Sequence, residues 1–123
     1  MKIRVAIADD HPEIRSALKL VLNQDRLISF QFEAINGKDL LLQLTNTPVD
    51  LVLLDIRMPE MDGMETLKIL RRVFPEVKVI MFSSSTEDNI VEQAKSLGAS
   101  SFLAKSESFK LIETIHEVFN NEV

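Results

Sequence analysis

Five times along the chain a short apolar run is followed by a segment of helical spacing, and this alternation leaves few folds open. The apolar runs are Ile3–Ala8, Ile28–Ala34, Val49–Leu54, Val77–Phe82 and Ser101–Ala104. Between and after them, apolar residues recur at three- and four-residue intervals. Ile14, Leu18, Val21 and Leu22 share one face of the first helix, Leu40, Leu41 and Leu44 of the second, and Leu67, Leu70 and Phe74 of the third. Ile90, Ala94 and Leu97 do so in the fourth, and Ile112, Ile115 and Phe119 in the fifth. Pro48, Pro75 and Gly98 stand where a helix should stop before the next strand. Strands joined by single helices must run parallel, with right-handed crossovers. Continuous runs such as "LVLL" suit strands covered on both faces, so a doubly wound α/β sheet between two helical layers is expected.

At 123 residues the chain fits one domain, expected to span 1–123. No apolar stretch approaches the roughly 20 residues needed to cross a bilayer, and the start "MKIRVAIADD" has no small-residue cleavage pattern, so neither membrane insertion nor a signal peptide is expected. Without cysteine there is no disulfide framework and no thiolate ligand or nucleophile, and the cytoplasm is the expected compartment. Fourteen Lys and Arg against 19 Asp and Glu give a net charge of -5, and no basic run marks a nucleic-acid surface.

In a parallel sheet all strand C-termini share one edge, and ligands bind there. The first strand ends in Asp9-Asp10, the third in Asp55, the fourth in Ser83 and the fifth in Lys105. Each has a plain structural explanation: Asp10 before Pro12 reads as a helix N-cap, "SSTE" at 84–87 as a capping box, and Lys105 as a surface lysine. Together they describe a site. Three carboxylates with one ammonium leave about two uncompensated negative charges, a conflict that raised pKa values or a cation would relieve. Oxygen ligands, with no His or Cys assigned to the set, favour a hard ion such as Mg²⁺. Such a site suits phosphate, and the central carboxylate, Asp55, is the candidate nucleophile toward phosphorus.

In chain order and spacing, "IADDHPEIRSAL", "LVLLDIRMPEMDGMETL", "VIMFSSS" and "GASSFLAKS" resemble the receiver domain of bacterial two-component response regulators, over essentially the whole chain. The resemblance implies a CheY-like, flavodoxin-like sheet of strand order 2-1-3-4-5 with five helices. It implies phosphorylation of Asp55 by a sensor histidine kinase, with Mg²⁺ held by Asp10, by Asp9 through water, by Asp55 and by the backbone carbonyl of Arg57. Lys105 would pair with phosphoryl oxygens, Ser83 would be the switching hydroxyl and Phe102 the switch aromatic. The plainer reading of Phe102 is a packing aromatic. His11 and His116 read as surface residues without a donor role.

Ser106 stands where many receivers have Pro after the lysine, and with "ADDHPEIRSAL" this resembles the LuxR and NarL subfamily, whose receivers precede a helix-turn-helix output domain. DNA binding is then expected only through an output domain outside this chain, and a phosphorylation-dependent homodimer is a further expectation. The chain reads either as a single-domain regulator or as the receiver part of a longer transcription factor, with the subfamily favouring the second. It reads as a switch that promotes its own phosphorylation and dephosphorylation, without a separate enzymatic activity. The alternatives are a pseudo-receiver that never takes phosphate and a haloacid dehalogenase-type hydrolase. The hydrolase normally has a second Asp two residues beyond the nucleophile, where this chain has Arg57.

Overall fold

The computed structural model describes residues 2–84 and 87–120. Five parallel strands, β1 (Ile3–Ala8), β2 (Ile28–Ala34), β3 (Leu51–Leu54), β4 (Lys78–Ser83) and β5 (Ser101–Ala104), lie in the order β2-β1-β3-β4-β5. They alternate with α1 (Pro12–Asn23), α2 (Gly37–Leu44), α3 (Gly63–Val73), α4 (Asp88–Ser96) and α5 (Leu111–Asn120), the last preceded by a 3-10 segment over Lys105–Lys110. The expected fold and strand order are those observed.

Alternation along each strand divides the core in two. Ala6, Ala8, Val52, Leu54, Val79 and Met81 face α2, α3 and α4, where Leu40, Leu44, Leu67, Leu70 and Ala94 are buried. Val5, Ile7, Leu51, Leu53, Ile80 and Phe82 face α1 and α5, where Leu18, Leu22, Leu111 and Ile115 are buried. All four residues of β3 are buried, which accounts for its unbroken apolar run. Each fully buried Leu or Ile contributes about 1.5–3 kcal/mol from apolar burial. In β2, Ile28 and Phe30 pack on the second core, whereas Phe32 and Ala34 pack on the first. A register shift causes the exchange: Val5 pairs with Phe30 but Ala6 with Phe32, so Gln31 is an extra residue.

Two expected strands are shifted. β3 begins at Leu51 rather than Val49, and just before it the Asp50 carboxylate accepts from Arg4 while the Asp50 backbone N–H donates to the Arg4 carbonyl. β4 spans Lys78–Ser83 rather than Val77–Phe82, so Ser83 is its last residue and pairs with Ala104. Asp10 is not the N-cap of α1. His11 holds that position without a side-chain cap bond and Pro12 follows at the helix start, which places Asp10 one residue too early to cap. At α4 the N-cap is Glu87, also without a side-chain cap bond, and Ser85 and Thr86 of the "SSTE" pattern lie outside the described residues.

Candidate functional site

The turn from β3 into α3 is held by backbone contacts. The Asp55 N–H donates to the Ala8 carbonyl at 2.9 Å, which continues the β1–β3 ladder by one residue beyond β3. The Gly63 N–H donates to the Ile56 carbonyl at 2.7 Å, closing the loop on itself. Asp62 caps α3 by accepting from the Glu65 N–H at 2.9 Å. At Gly63 a Cβ would lie 2.1 Å from the Asp55 carbonyl oxygen and 2.8 Å from the Ile56 Cα. Only glycine permits the start of α3 to come this close to the backbone carrying Asp55.

The ends of β1, β3 and β5 bring Asp9, Asp55 and Lys105 together. Asp9 and Asp55 are only 1% and 4% exposed. Lys105 Nζ lies 2.9 Å from Asp9 Oδ2 and 3.3 Å from Asp55 Oδ2, and 6.0 Å from the centre of the Phe82 ring. Asp9 Oδ2 and Asp55 Oδ2 thus share one ammonium, and Asp10 Oδ1 faces the His11 ring at 3.1 Å. Burial first, and then the charge of Asp9, raise the Asp55 carboxyl above the ordinary carboxylate range, against the opposing pull of Lys105. Burial pulls the Lys105 ammonium down, but Asp9 and Asp55 outweigh it and the net shift is upward.

His11 is exposed, as expected of a surface residue, and also touches the acidic pair. Its Nδ1 lies 2.9 Å from Asp9 Oδ1 and 3.1 Å from Asp10 Oδ1. The hydrogen bond to Asp9 and the charge of Asp10 raise its pKa. Its backbone N–H donates to the same Asp9 Oδ1 at 2.8 Å, an Asx-turn for which the "DDHP" stretch is the sequence signal. His116 is not a plain surface residue either: Nε2 lies 2.8 Å from Asp25 Oδ2, tying α5 to the α1–β2 loop. Arg15, also missed, donates from Nη1 to the Asp9 carbonyl at 2.7 Å and from Nε to Glu33 at 2.7 Å, while Lys19 pairs with the other Glu33 oxygen. This network anchors the acidic turn to β2.

The remaining expected residues lie on β4, in the loop after β3 and on β5. Ser83 is buried at the end of β4. Arg57 is exposed in the loop after Asp55. Phe102 is half-buried against the α2–α3–α4 side of the core, so its packing role is real. Among the described residues, Asp9, Asp10, His11 and Asp55 each offer one ligand atom, all within 4.8 Å of one another. Three carboxylates converging beside one ammonium keep an excess of negative charge, and that donor set fits a divalent cation.

The family model for the response regulator receiver domain matches residues 5–117. A response regulator protein VraR from Staphylococcus saprophyticus is 33% identical over 123 residues, covering 99% of this chain and 59% of the relative, so the chain spans about three fifths of that protein. The signal receiver domain of the putative response regulator NarL from Mycobacterium tuberculosis superposes with a TM-score of 0.80 at 35% identity, covering 85% of this chain and 84% of that one. The response regulator domain of Thermotoga maritima CheB gives 0.90 at 27% identity, covering 98% of both chains. Similarity to VraR and NarL agrees with the LuxR and NarL character of the motifs. Among the described residues no helix is long and apolar enough to cross a membrane.

Proposed function

The chain belongs to the response regulator receiver domain family, a signalling switch of two-component systems, and from that premise we propose that Asp55 is its phosphoacceptor. The phosphoryl donor is a phosphohistidine on a sensor histidine kinase. An Asp55 carboxylate oxygen attacks phosphorus, the new O–P bond forms as the P–N bond breaks, and the donor imidazole leaves with the electron pair. The observation that carries this reading is the single Lys105 ammonium shared by the buried carboxylates of Asp9 and Asp55.

Mg²⁺ would be held by Asp9, Asp10, Asp55 and the Arg57 backbone carbonyl, and when bound it supplies positive charge against the incoming phosphoryl oxygens. Lys105, already oriented toward Asp55, pairs with a phosphoryl oxygen. The burial that raises the Asp55 pKa also keeps water from the nucleophile. Phosphorylation adds about -1.5 to -2 charge and three acceptor oxygens next to Ser83. Ser83 donates to one of them, and Phe102, on the adjacent strand, repacks with it. The partner-binding surface around α4, β5 and α5 then changes population, by no more than the difference in phosphate affinity between its two states. The output is regulation of transcription through an output domain outside this chain, with a homodimer formed on phosphorylation.

Incubation with Mg²⁺ and acetyl phosphate, followed by intact mass measurement, tests the assignment. One phosphate adduct is expected, lost in Asp55→Ala and in chelator. A folded chain that binds Mg²⁺ but takes phosphate neither from acetyl phosphate nor from a cognate kinase would be a pseudo-receiver.

A further inference from the structure

Beside the acidic turn lies a guanidinium whose hydrogen bonds go elsewhere than to the carboxylates. We propose that Arg15 is a positioning residue of the cation site: by holding the Asp9 carbonyl it fixes the peptide plane between Asp9 and Asp10, and with it the directions of both carboxylates. This inference rests on reading the pocket as a cation site and adds to it a residue that acts through the backbone alone.

β1 ends at Ala8 and α1 begins at Pro12, so the acidic pair lies on the short crossing between them. There Asp9 is held through both backbone and side chain. Its N–H donates to the Ala34 carbonyl at 3.1 Å, and its carbonyl accepts from Arg15 Nη1 at 2.7 Å. Its Oδ1 accepts the His11 N–H at 2.8 Å, and its Oδ2 faces Lys105. Beyond Ala8 the ladder has ended, and Arg15 serves the Asp9 carbonyl in place of a strand partner. That carbonyl and the Asp10 N–H belong to one planar peptide unit, so a bond to the first orients the second.

Arg15 lies in the first turn of α1, where its N–H donates to the His11 carbonyl at 3.1 Å. Helical side chains tilt toward the helix N-terminus, which carries the guanidinium back to Asp9. Its Nε donates to Glu33 on β2 at 2.7 Å, and Lys19 takes the other Glu33 oxygen. Lys19 and Arg15 hold Glu33 below the ordinary carboxylate range, so the guanidinium keeps an ionised partner of its own. Its side chain is 13% exposed, and among the described residues its side-chain hydrogen bonds go to Glu33 and the Asp9 carbonyl. A cation placed to neutralise the pocket would face the carboxylates, as Lys105 does. Arg15 instead holds the chain that carries them.

A positive charge beside a bound cation weakens its binding, so a charge effect and a positioning effect have opposite signs. Calorimetric titration of the full chain with MgCl2 is compared for the unaltered protein, Arg15→Met and Arg15→Lys, with urea unfolding in chelator to confirm that each variant is folded. Acting by charge alone, Arg15→Met would bind Mg²⁺ more tightly. As the loss of a positioning residue, it should bind Mg²⁺ about tenfold more weakly. Arg15→Lys keeps the charge but has one nitrogen for two partners, and should lie between. In the metal-free chain, nitrogen-15 relaxation should show greater motion of the Asp10 amide in Arg15→Met than in the unaltered protein. Mg²⁺ affinity unchanged or raised in folded Arg15→Met would overturn the inference, with Mg²⁺-dependent phosphorylation of Asp55 still intact. If Arg15→Met does not fold, unchanged affinity in Arg15→Lys would overturn it instead. Failure of the unaltered protein to bind Mg²⁺ would overturn the cation reading itself, and this inference with it.

Discussion

The two ends of β3 carry the same functional group in opposite conditions. Asp50, just before the strand, accepts from the Arg4 backbone N–H at 2.8 Å and from its guanidinium at 3.1 and 3.0 Å, and these contacts hold its carboxyl below the ordinary range. Asp55, just after the strand, is more deeply buried, shares its one ammonium with Asp9, and is shifted upward. Four residues separate the two. A strand buried throughout can therefore end in a carboxylate that is fully satisfied or in one left available, and the neighbours beyond the strand decide which. The end held low by its own arginine suits stability, and the end held high by burial and a neighbouring carboxylate suits chemistry.

The strongest way to break this contrast is to neutralise the available end. Asp55→Asn should abolish the phosphate adduct in the mass measurement, yet leave the metal-free chain as stable as before or more stable by about 1 kcal/mol, because a buried charge facing Asp9 has been removed. Loss of the adduct together with marked destabilisation in denaturant would mean that Asp55 is structural. Gly63→Ala attacks the same end through the backbone. Its Cβ would meet the Asp55 carbonyl oxygen at 2.1 Å, a contact that no side-chain rotation relieves. We expect at least about 3 kcal/mol of destabilisation by urea unfolding; a loss below about 1 kcal/mol would show that α3 can move away from the site at little cost.

Lys105→Met should have an intermediate effect. It leaves Asp9 and Asp55 without the ammonium between them, and should cost about 2 kcal/mol in chelator, less than a fully buried pair because the lysine side chain is 15% exposed. Added Mg²⁺ should restore part of the loss. Identical unfolding curves with and without Mg²⁺ would contradict a cation bound among these carboxylates.

Much of this was legible before folding, for one reason. A parallel sheet lines up every strand end, so Asp9, Asp10, Asp55, Ser83 and Lys105 could be assigned to one edge from the alternation of strands and helices. What stayed hidden depends on geometry that periodicity does not encode. The face exchange in β2 follows from one extra residue, Gln31, in a run whose apolar pattern continues through it. His11 reaches the site because an Asx-turn and a following proline set its backbone, although its position at the head of a helix resembles that of any exposed residue. Gly63 is conspicuous in "MDG" as a turn residue, but its necessity comes from contact with the Asp55 backbone eight positions earlier. The Asp50 contact is invisible in the sequence because its partner, Arg4, is 46 residues away.

Asp50 gives the smallest expected effect and the clearest opposite sign. Its folded carboxyl titrates below its unfolded value, so the unfolded chain binds this proton more readily. The stabilisation is therefore complete above about pH 4, the ordinary carboxylate range, and is lost as pH falls through the lower folded value. Asp50→Asn should lower the Tm by a few degrees at neutral pH, roughly what a partly exposed charged hydrogen bond contributes. That difference should shrink as the solution is acidified below about pH 4, since the unaltered chain then loses the same charge. The phosphate adduct at Asp55 should be unaffected. If the Tm difference persisted unchanged to the lowest pH at which the chain stays folded, the Arg4 contacts would contribute through shape and neutral hydrogen bonding alone. The contrast between the two ends of β3 would then be one of geometry rather than of charge.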